Sequence, residues 1–154
     1  MFDEPASERI EYVGNAGVTQ SCIDGILRYL QCDGPIQEAM VFTSSRYHAF
    51  MLHTVERRDT IVVRAGFTSG YSGEGSGGFA YVLSLLEEFE IETREYEVSD
   101  RLFDRLNRAQ LTDRDLETID RMQPVHPVRI FDYKYAYRRE RVMSEGSMPI
   151  PIPL

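Results

Sequence analysis

Ala39-Met40-Val41-Phe42-Thr43, Tyr47-His48-Ala49-Phe50-Met51-Leu52-His53-Thr54 and Thr60-Ile61-Val62-Val63-Arg64 follow one another with only short polar breaks. Those breaks are Ser44-Ser45 and the cluster Glu56-Arg57-Arg58-Asp59. β-Branched and aromatic residues recur in all three runs, as the pleated, half-buried surface of a sheet favours. Parallel strands need crossovers of a dozen or more residues, and these links are far shorter, so the runs predict an antiparallel meander. Residues 49–52 are apolar on both faces of a strand, which predicts a central strand covered by helices.

Past the third run the chain enters a glycine-rich stretch, Gly66-Phe67-Thr68-Ser69-Gly70-Tyr71-Ser72-Gly73-Glu74-Gly75-Ser76-Gly77-Gly78. Phe79, Val82, Leu83, Leu86 and Phe89 then fall on one helical stripe, predicting a helix over 78–90. Ile91 to Val98 alternates as a strand does. Two short helices are expected over 99–109 and 112–122. Ser99 and Thr112 are their N-caps, Leu111 staples onto Leu116, and Asp113 and Asp115 sit where the helix dipole favours negative charge. The run 128–137 reads as a fifth strand, with Phe131, Tyr133, Tyr135 and Tyr137 on one face. Toward the N-terminus, residues 1–17 show no period. A helix is expected over 19–32, where Ile23, Ile26, Leu27 and Leu30 share a face and Asp33-Gly34-Pro35 is the stop.

The expected fold class is therefore α+β: an antiparallel sheet of strands near 39–44, 46–55, 59–65, 91–98 and 128–137, packed with those four helices. Residues 1–141 form the domain, and 142–154, ending Met148-Pro149-Ile150-Pro151-Ile152-Pro153-Leu154, form an extended Pro-rich tail. At 154 residues with 42% hydrophobic and 27% charged side chains, the chain can bury a core without disulfides or metals. Cys22 and Cys32 lie about 15 Å apart along one helix, beyond disulfide reach, and read as thiols in a reducing compartment. No apolar run approaches the roughly 18 residues of a membrane span. The acidic N-terminus lacks a signal-peptide core, so the expected location is cytoplasmic, with no membrane partner.

The glycine-rich stretch resembles a motif of small uncharacterised bacterial and phage proteins. In these a hairpin leads into F-x-W-G-Y-G-G-S-G-P and then a helix rich in Leu and Ala. The likeness spans residues 67–86, and here Ser69 stands for the Trp, Glu74 for a Ser and Ser76 for the Pro. It implies a bacterial or phage accessory protein and brings no activity with it.

Two readings of function stay open. The net charge of −8 opposes direct nucleic-acid binding, because phosphate neutralisation needs surplus Lys and Arg. Residues 87–120 hold twelve acids against five arginines, whereas 128–141 is net positive by three. The first reading is a small non-enzymatic interaction protein of inhibitor, immunity or anti-defence type. It would meet a partner with a basic surface through Glu87, Glu88, Glu92, Glu95, Asp100 and Asp104 and through Tyr133 and Tyr135, tyrosine being a favoured interface anchor. Self-association is compatible with the composition. The bland counterpart is a solvated pair of helices and an aromatic face packed on the core.

The second reading is a nucleotide or other small-molecule site over Gly70, Tyr71, Ser72, Gly73, Glu74, Gly75, Ser76, Gly77 and Gly78, at the start of a helix whose amides favour anions. The stretch lacks a Gly-Lys-Ser/Thr ending, matches G-x-G-x-x-G only in part, and carries Glu74, which repels phosphate. Its bland counterpart is a tight connector. His48 and His53 point to opposite faces of one strand and His126 lies between prolines, so no metal-ligand spacing arises. Ser69, Ser72 and Ser76 are candidate nucleophiles to which the sequence assigns neither base nor acid. No catalytic residue, metal or cofactor is assigned.

Overall fold

The computed structural model describes residues 9–32, 36–54, 60–70 and 73–135. Its elements are β1 (Ile10–Val13), α1 (Thr19–Cys32), β2 (Ile36–Ser44), β3 (Tyr47–Thr54), β4 (Thr60–Thr68), α2 (Glu74–Glu88), β5 (Glu92–Glu97), α3 (Asp100–Asn107) and α4 (Asp113–Arg121). A further helix, α5, covers 128–135. The class is α+β as expected, and the meander is there: β2 pairs antiparallel with β3, and β3 with β4. The turn between β2 and β3 is closed by Ser45 in the left-handed region, φ 59°.

The sheet is mixed, however, not antiparallel throughout. Its order is β1-β4-β3-β2-β5, with β1 parallel to β4 and β5 parallel to β2. Only β3 runs against the other four. The physical reason is the connections: α2 carries the chain from the end of β4 back to the start of β5, and such a crossover produces parallel strands. The fifth strand is Ile10–Val13, in the stretch where no period was legible, and the expected strand over 128–137 is helical as far as it is described.

Strand alternation sends two cores to two sides. Val41, Phe50, Leu52, Ile61, Val63 and Phe67 face α1 and α2 and meet Cys22, Ile26, Phe79, Val82 and Leu86. Phe42, Ala49, Met51 and Val62 face α3 and α4 and meet Leu102, Leu106, Leu111 and Ile119. β3, third of five strands, is buried on both sides along Ala49–Leu52, as a central strand should be. Each of its larger side chains contributes roughly 1.5–3 kcal/mol by leaving water.

The helix expected from residue 78 begins at Glu74, so Gly75, Gly77 and Gly78 form its first turns. Glycine in a helix costs roughly 1 kcal/mol against alanine, and packing explains why it is kept. A Cβ on Gly78 would lie 2.4 Å from Thr19 Cγ2, and one on Gly75 would lie 2.5 Å from Thr68 Oγ1. These glycines let α2 cross closely over α1 and the end of β4. Ser99 and Thr112 cap α3 and α4 as expected, and Thr112 forms a reciprocal capping box with Asp115.

Candidate functional site

Glu95 organises the side of the molecule where β5, α2 and α5 meet. It was expected on a partner-binding surface, yet it is only 1% exposed. Strand register accounts for this: Glu95 lies beside Val41 of β2, which faces α1 and α2, so its carboxylate turns to that side of the sheet, where Arg129 and Tyr133 of α5 cover it. A buried carboxylate must be hydrogen-bonded and charge-paired to be tolerated. Its Oε2 accepts from Thr43 Oγ1 at 2.5 Å, from the Tyr133 hydroxyl at 2.6 Å and from Arg129 Nη2 at 3.1 Å. Oε1 has no hydrogen-bond partner among the described residues. Arg129 also pairs with Glu97 and donates to the Tyr133 hydroxyl. Hydrogen bonding to Glu97 is the main reason its guanidinium is held even more firmly protonated than usual. Burial and the neighbouring Glu95 push the Tyr133 phenol up to about 12.

From Thr43 the network continues inward. Its hydroxyl has one proton, given to Glu95, so its oxygen must accept from His48 Nδ1, 2.8 Å away. That fixes the tautomer: His48 Nε2 accepts from Ser69 Oγ at 2.7 Å. The imidazole is fully buried, stacked on Phe79 with centroids 4.1 Å apart. Burial first, and the Arg129 charge second, bring its pKa down to about 3. Ser69, His48, Thr43 and Glu95 thus form a continuous relay. Its base is far weaker than one poised near neutral pH. The charge that would stabilise an imidazolium is one hydroxyl removed and already neutralised by Arg129. The chemistry of the relay is therefore positional: it ties the end of β4 to β3, β2, β5 and α5.

α5 shows what this positioning does. With Arg129 and Tyr133 turned to the sheet, Phe131 and Tyr135 lie four residues apart on another side of the helix. They are 59% and 54% exposed and stack on each other, centroids 6.0 Å apart and planes within 10°. Beside them a groove of about 460 Å³ is lined by buried Leu83 and Ile91, by Ile130 and Phe131, and by exposed Glu87, Glu90 and Glu92. Lys134 lines it too and pairs with Glu87.

The expected partner-binding residues therefore divide. Glu87 and Glu92 line this groove, with Glu88 exposed nearby in sequence and Tyr135 exposed on α5. Tyr133 and Glu95 face inward. Asp100 and Asp104 belong to α3, whose buried side chains cover the opposite side of the sheet, where they bind Ser44 and Arg108. Of the glycine-rich candidates, Tyr71 and Ser72 lie outside the described residues. Gly70 and Gly73 flank them, Glu74 opens α2, and buried Ser76 sits 3.3 Å from Thr68 Oγ1. Glu74 occupies the first turn that an anion would otherwise take.

His48 and His53 do face opposite sides, while exposed His126 accepts from the Val128 amide. Among the described residues no group of three or more His, Cys, Asp or Glu could hold a metal ion, and no helix is long and apolar enough to cross a membrane. Arg129, Thr43 and the His48–Ser69 pair went unseen in the sequence. The available signal was Arg129 and Tyr133, four apart and therefore neighbours on a helix but not on a strand.

No family model matches the chain, and no curated protein matches it. Among solved structures, a chain in the structure of respiratory complex I from Thermus thermophilus is similar to it. The two are 20% identical with a TM-score of 0.58, over 78% of this chain and 98% of that one. At that identity the likeness is one of fold.

Proposed function

We propose that this protein is an acidic interaction module that docks a basic protein partner on the α2–β5–α5 side. The inhibitor, immunity or accessory type is the closest description. The observation that carries the reading is the stacked, solvent-facing Phe131–Tyr135 pair, held outward by the Arg129–Tyr133–Glu95 anchor and flanked by a groove ringed with Glu87, Glu90 and Glu92. Exposed rigid aromatics supply apolar anchor area at small entropic cost, and the surrounding carboxylates select and steer a cationic partner. Support of a weaker kind comes from the similar fold found in a structure of respiratory complex I. The test is affinity capture from the native host with two baits, the native chain and Phe131→Ala/Tyr135→Ala. A prey retained by the first, lost by the second and released as salt approaches about 1 M is expected. Identical prey for both baits would refute this docking face.

A further inference from the structure

β5 is an edge strand whose outer rim is closed at one end and open at the other. Val98, next after it, donates its amide to the Thr43 carbonyl of β2, whereas the Glu95 carbonyl accepts from the Val125 amide at 2.8 Å. Backbone polar groups alternate sides along a strand. Glu92, Arg94 and Tyr96 therefore serve the ladder with β2, and Thr93 shares the outer rim with Glu95. Val125 closes that rim at Glu95. Two residues on, Pro127 has no N–H with which to continue the pairing, and the chain turns into α5 as the Ile130 amide donates to the Pro127 carbonyl. Turned away from β2, the Thr93 N–H and C=O find no partner among the described residues; its hydroxyl donates to the Ile91 carbonyl.

An open donor and acceptor on a sheet edge are a template for another strand. Thr93 and Pro127 both line the groove of about 460 Å³, whose apolar lining includes Leu83, Ile91 and Ile130. Glu90, in the left-handed region at φ 58°, closes the end of α2 by donating its amide to the Glu87 carbonyl and leads the chain into β5 on the groove's rim. Three carboxylates of the lining, Glu87, Glu90 and Glu92, stand against Lys134, which pairs with Glu87; Arg94 pairs with Glu92 from outside the groove.

We propose that this groove receives an extended segment of a basic partner protein, which adds to the sheet as a short strand beside Thr93. The inference rests on the docking face proposed above and names the form in which its partner binds. Main-chain bonds to Thr93 hold the segment, and its side chains alternate. One apolar side chain enters the groove on the Thr93 side of the sheet, and Lys or Arg on either side of it turns the other way, as Glu92 does. An amphipathic helix would cover the apolar lining yet leave Thr93 unpaired, because its backbone groups are bonded within it. A second copy of this chain fits poorly, since edge-to-edge pairing sets Glu92 and Glu90 of both copies against each other.

The full-length chain, labelled with ¹⁵N, would be titrated with acetyl-Lys-Val-Lys-Val-Lys-amide while amide exchange is read residue by residue. At saturation the Thr93 amide should exchange about 10-fold more slowly, the order of one net hydrogen bond, with the ladder amide of Arg94 unchanged. Thr93→Pro removes only an outward N–H, where an edge strand tolerates proline, and should weaken the peptide about 10-fold; Thr93→Val keeps the N–H and should bind as the native chain does. The peptide N-methylated throughout should not bind, and its Glu-for-Lys counterpart should bind about 10-fold more weakly. Unmoved Thr93 exchange in excess peptide, or a methylated peptide that binds equally well, would overturn the strand, and neither depends on a variant folding. Thr93 protection that rises with protein concentration in the absence of peptide would also overturn it, giving the edge to a second copy. Peptide binding kept in Phe131→Ala/Tyr135→Ala would uphold the strand site without the aromatic pair. Prey lost by that double variant but kept by Thr93→Pro would uphold the docking face and sink the strand.

Discussion

α4 and α5 are both short, both near the end of the described chain, and both tied down by an arginine–carboxylate pair, yet they are built on different principles. α4 carries its own instructions. Thr112 caps it, Asp115 closes the capping box, and the same Asp115 takes a two-point grip from Arg105 ten residues back, at 2.6 and 2.8 Å. Burial alone would raise the Asp115 carboxyl, but the Arg105 and Thr112 hydrogen bonds hold it below its ordinary value. α5 has its decisive partners 34 and 38 residues away, at Glu95. The difference teaches that a helix with local caps is legible from its own residues, whereas one fastened at long range is legible only once its anchor has a place in the fold.

Removing the anchor should break the comparison most severely. Glu95→Ala leaves the Thr43 and Tyr133 hydroxyls without their buried acceptor while Arg129 keeps Glu97, and each donor so stranded costs about 1–3 kcal/mol. Hydrogen exchange should show protection collapsing over 128–135 while 113–121 keeps it. Equal loss in both helices would mean that they form one cooperative unit.

Acid should act next. His48 titrates at about 3 in the folded protein against an ordinary 6.5, so between those values the unfolded chain binds more protons. Stability is therefore full above the unfolded value and falls as pH drops through the window, by on the order of 3 kcal/mol by about pH 4. Denaturation midpoints measured across that range should flatten in His48→Gln; an unchanged slope would move the acid sensitivity elsewhere. Thr112→Ala should cost about 1 kcal/mol and be felt first in α4, the mirror image of the Glu95 variant. Smallest of all, Phe131→Ala/Tyr135→Ala should shift stability by only about 0.5 kcal/mol, both rings being largely exposed, while removing partner capture. A large loss of stability would show that the aromatic pair serves the fold.

The same contrast accounts for what could be read early. The β2–β3–β4 meander and the caps of α3 and α4 were legible because each depends on residues close in sequence. The stretch 128–137 reads as a strand because its aromatics alternate, and alternation looks the same whether a pleat or an external anchor sets it. As a helix, the same residues put Arg129 and Tyr133 inward and Phe131 and Tyr135 outward. β1 was missed because four half-exposed residues on a sheet edge need no strong hydrophobic pattern. Charge density alone singles out Glu87 and Glu92, which line the groove, and Glu88, which is exposed but does not. That measure also took in Glu95, since charge in a sequence carries no information about which way a strand turns it.

By itself the sequence determined the class of the domain, its central antiparallel strands, most of its helices and its acidic character, because these follow from short-range periodicity, capping chemistry and composition. Tertiary structure alone decided that β1 and β5 join in parallel. It also decided that Glu95 is an anchor buried beneath α5 and that Ser69, His48, Thr43 and Glu95 form one chain of hydrogen bonds. Each of these depends on crossovers and on contacts between residues far apart in sequence. Their energies appear only when several elements are already in place.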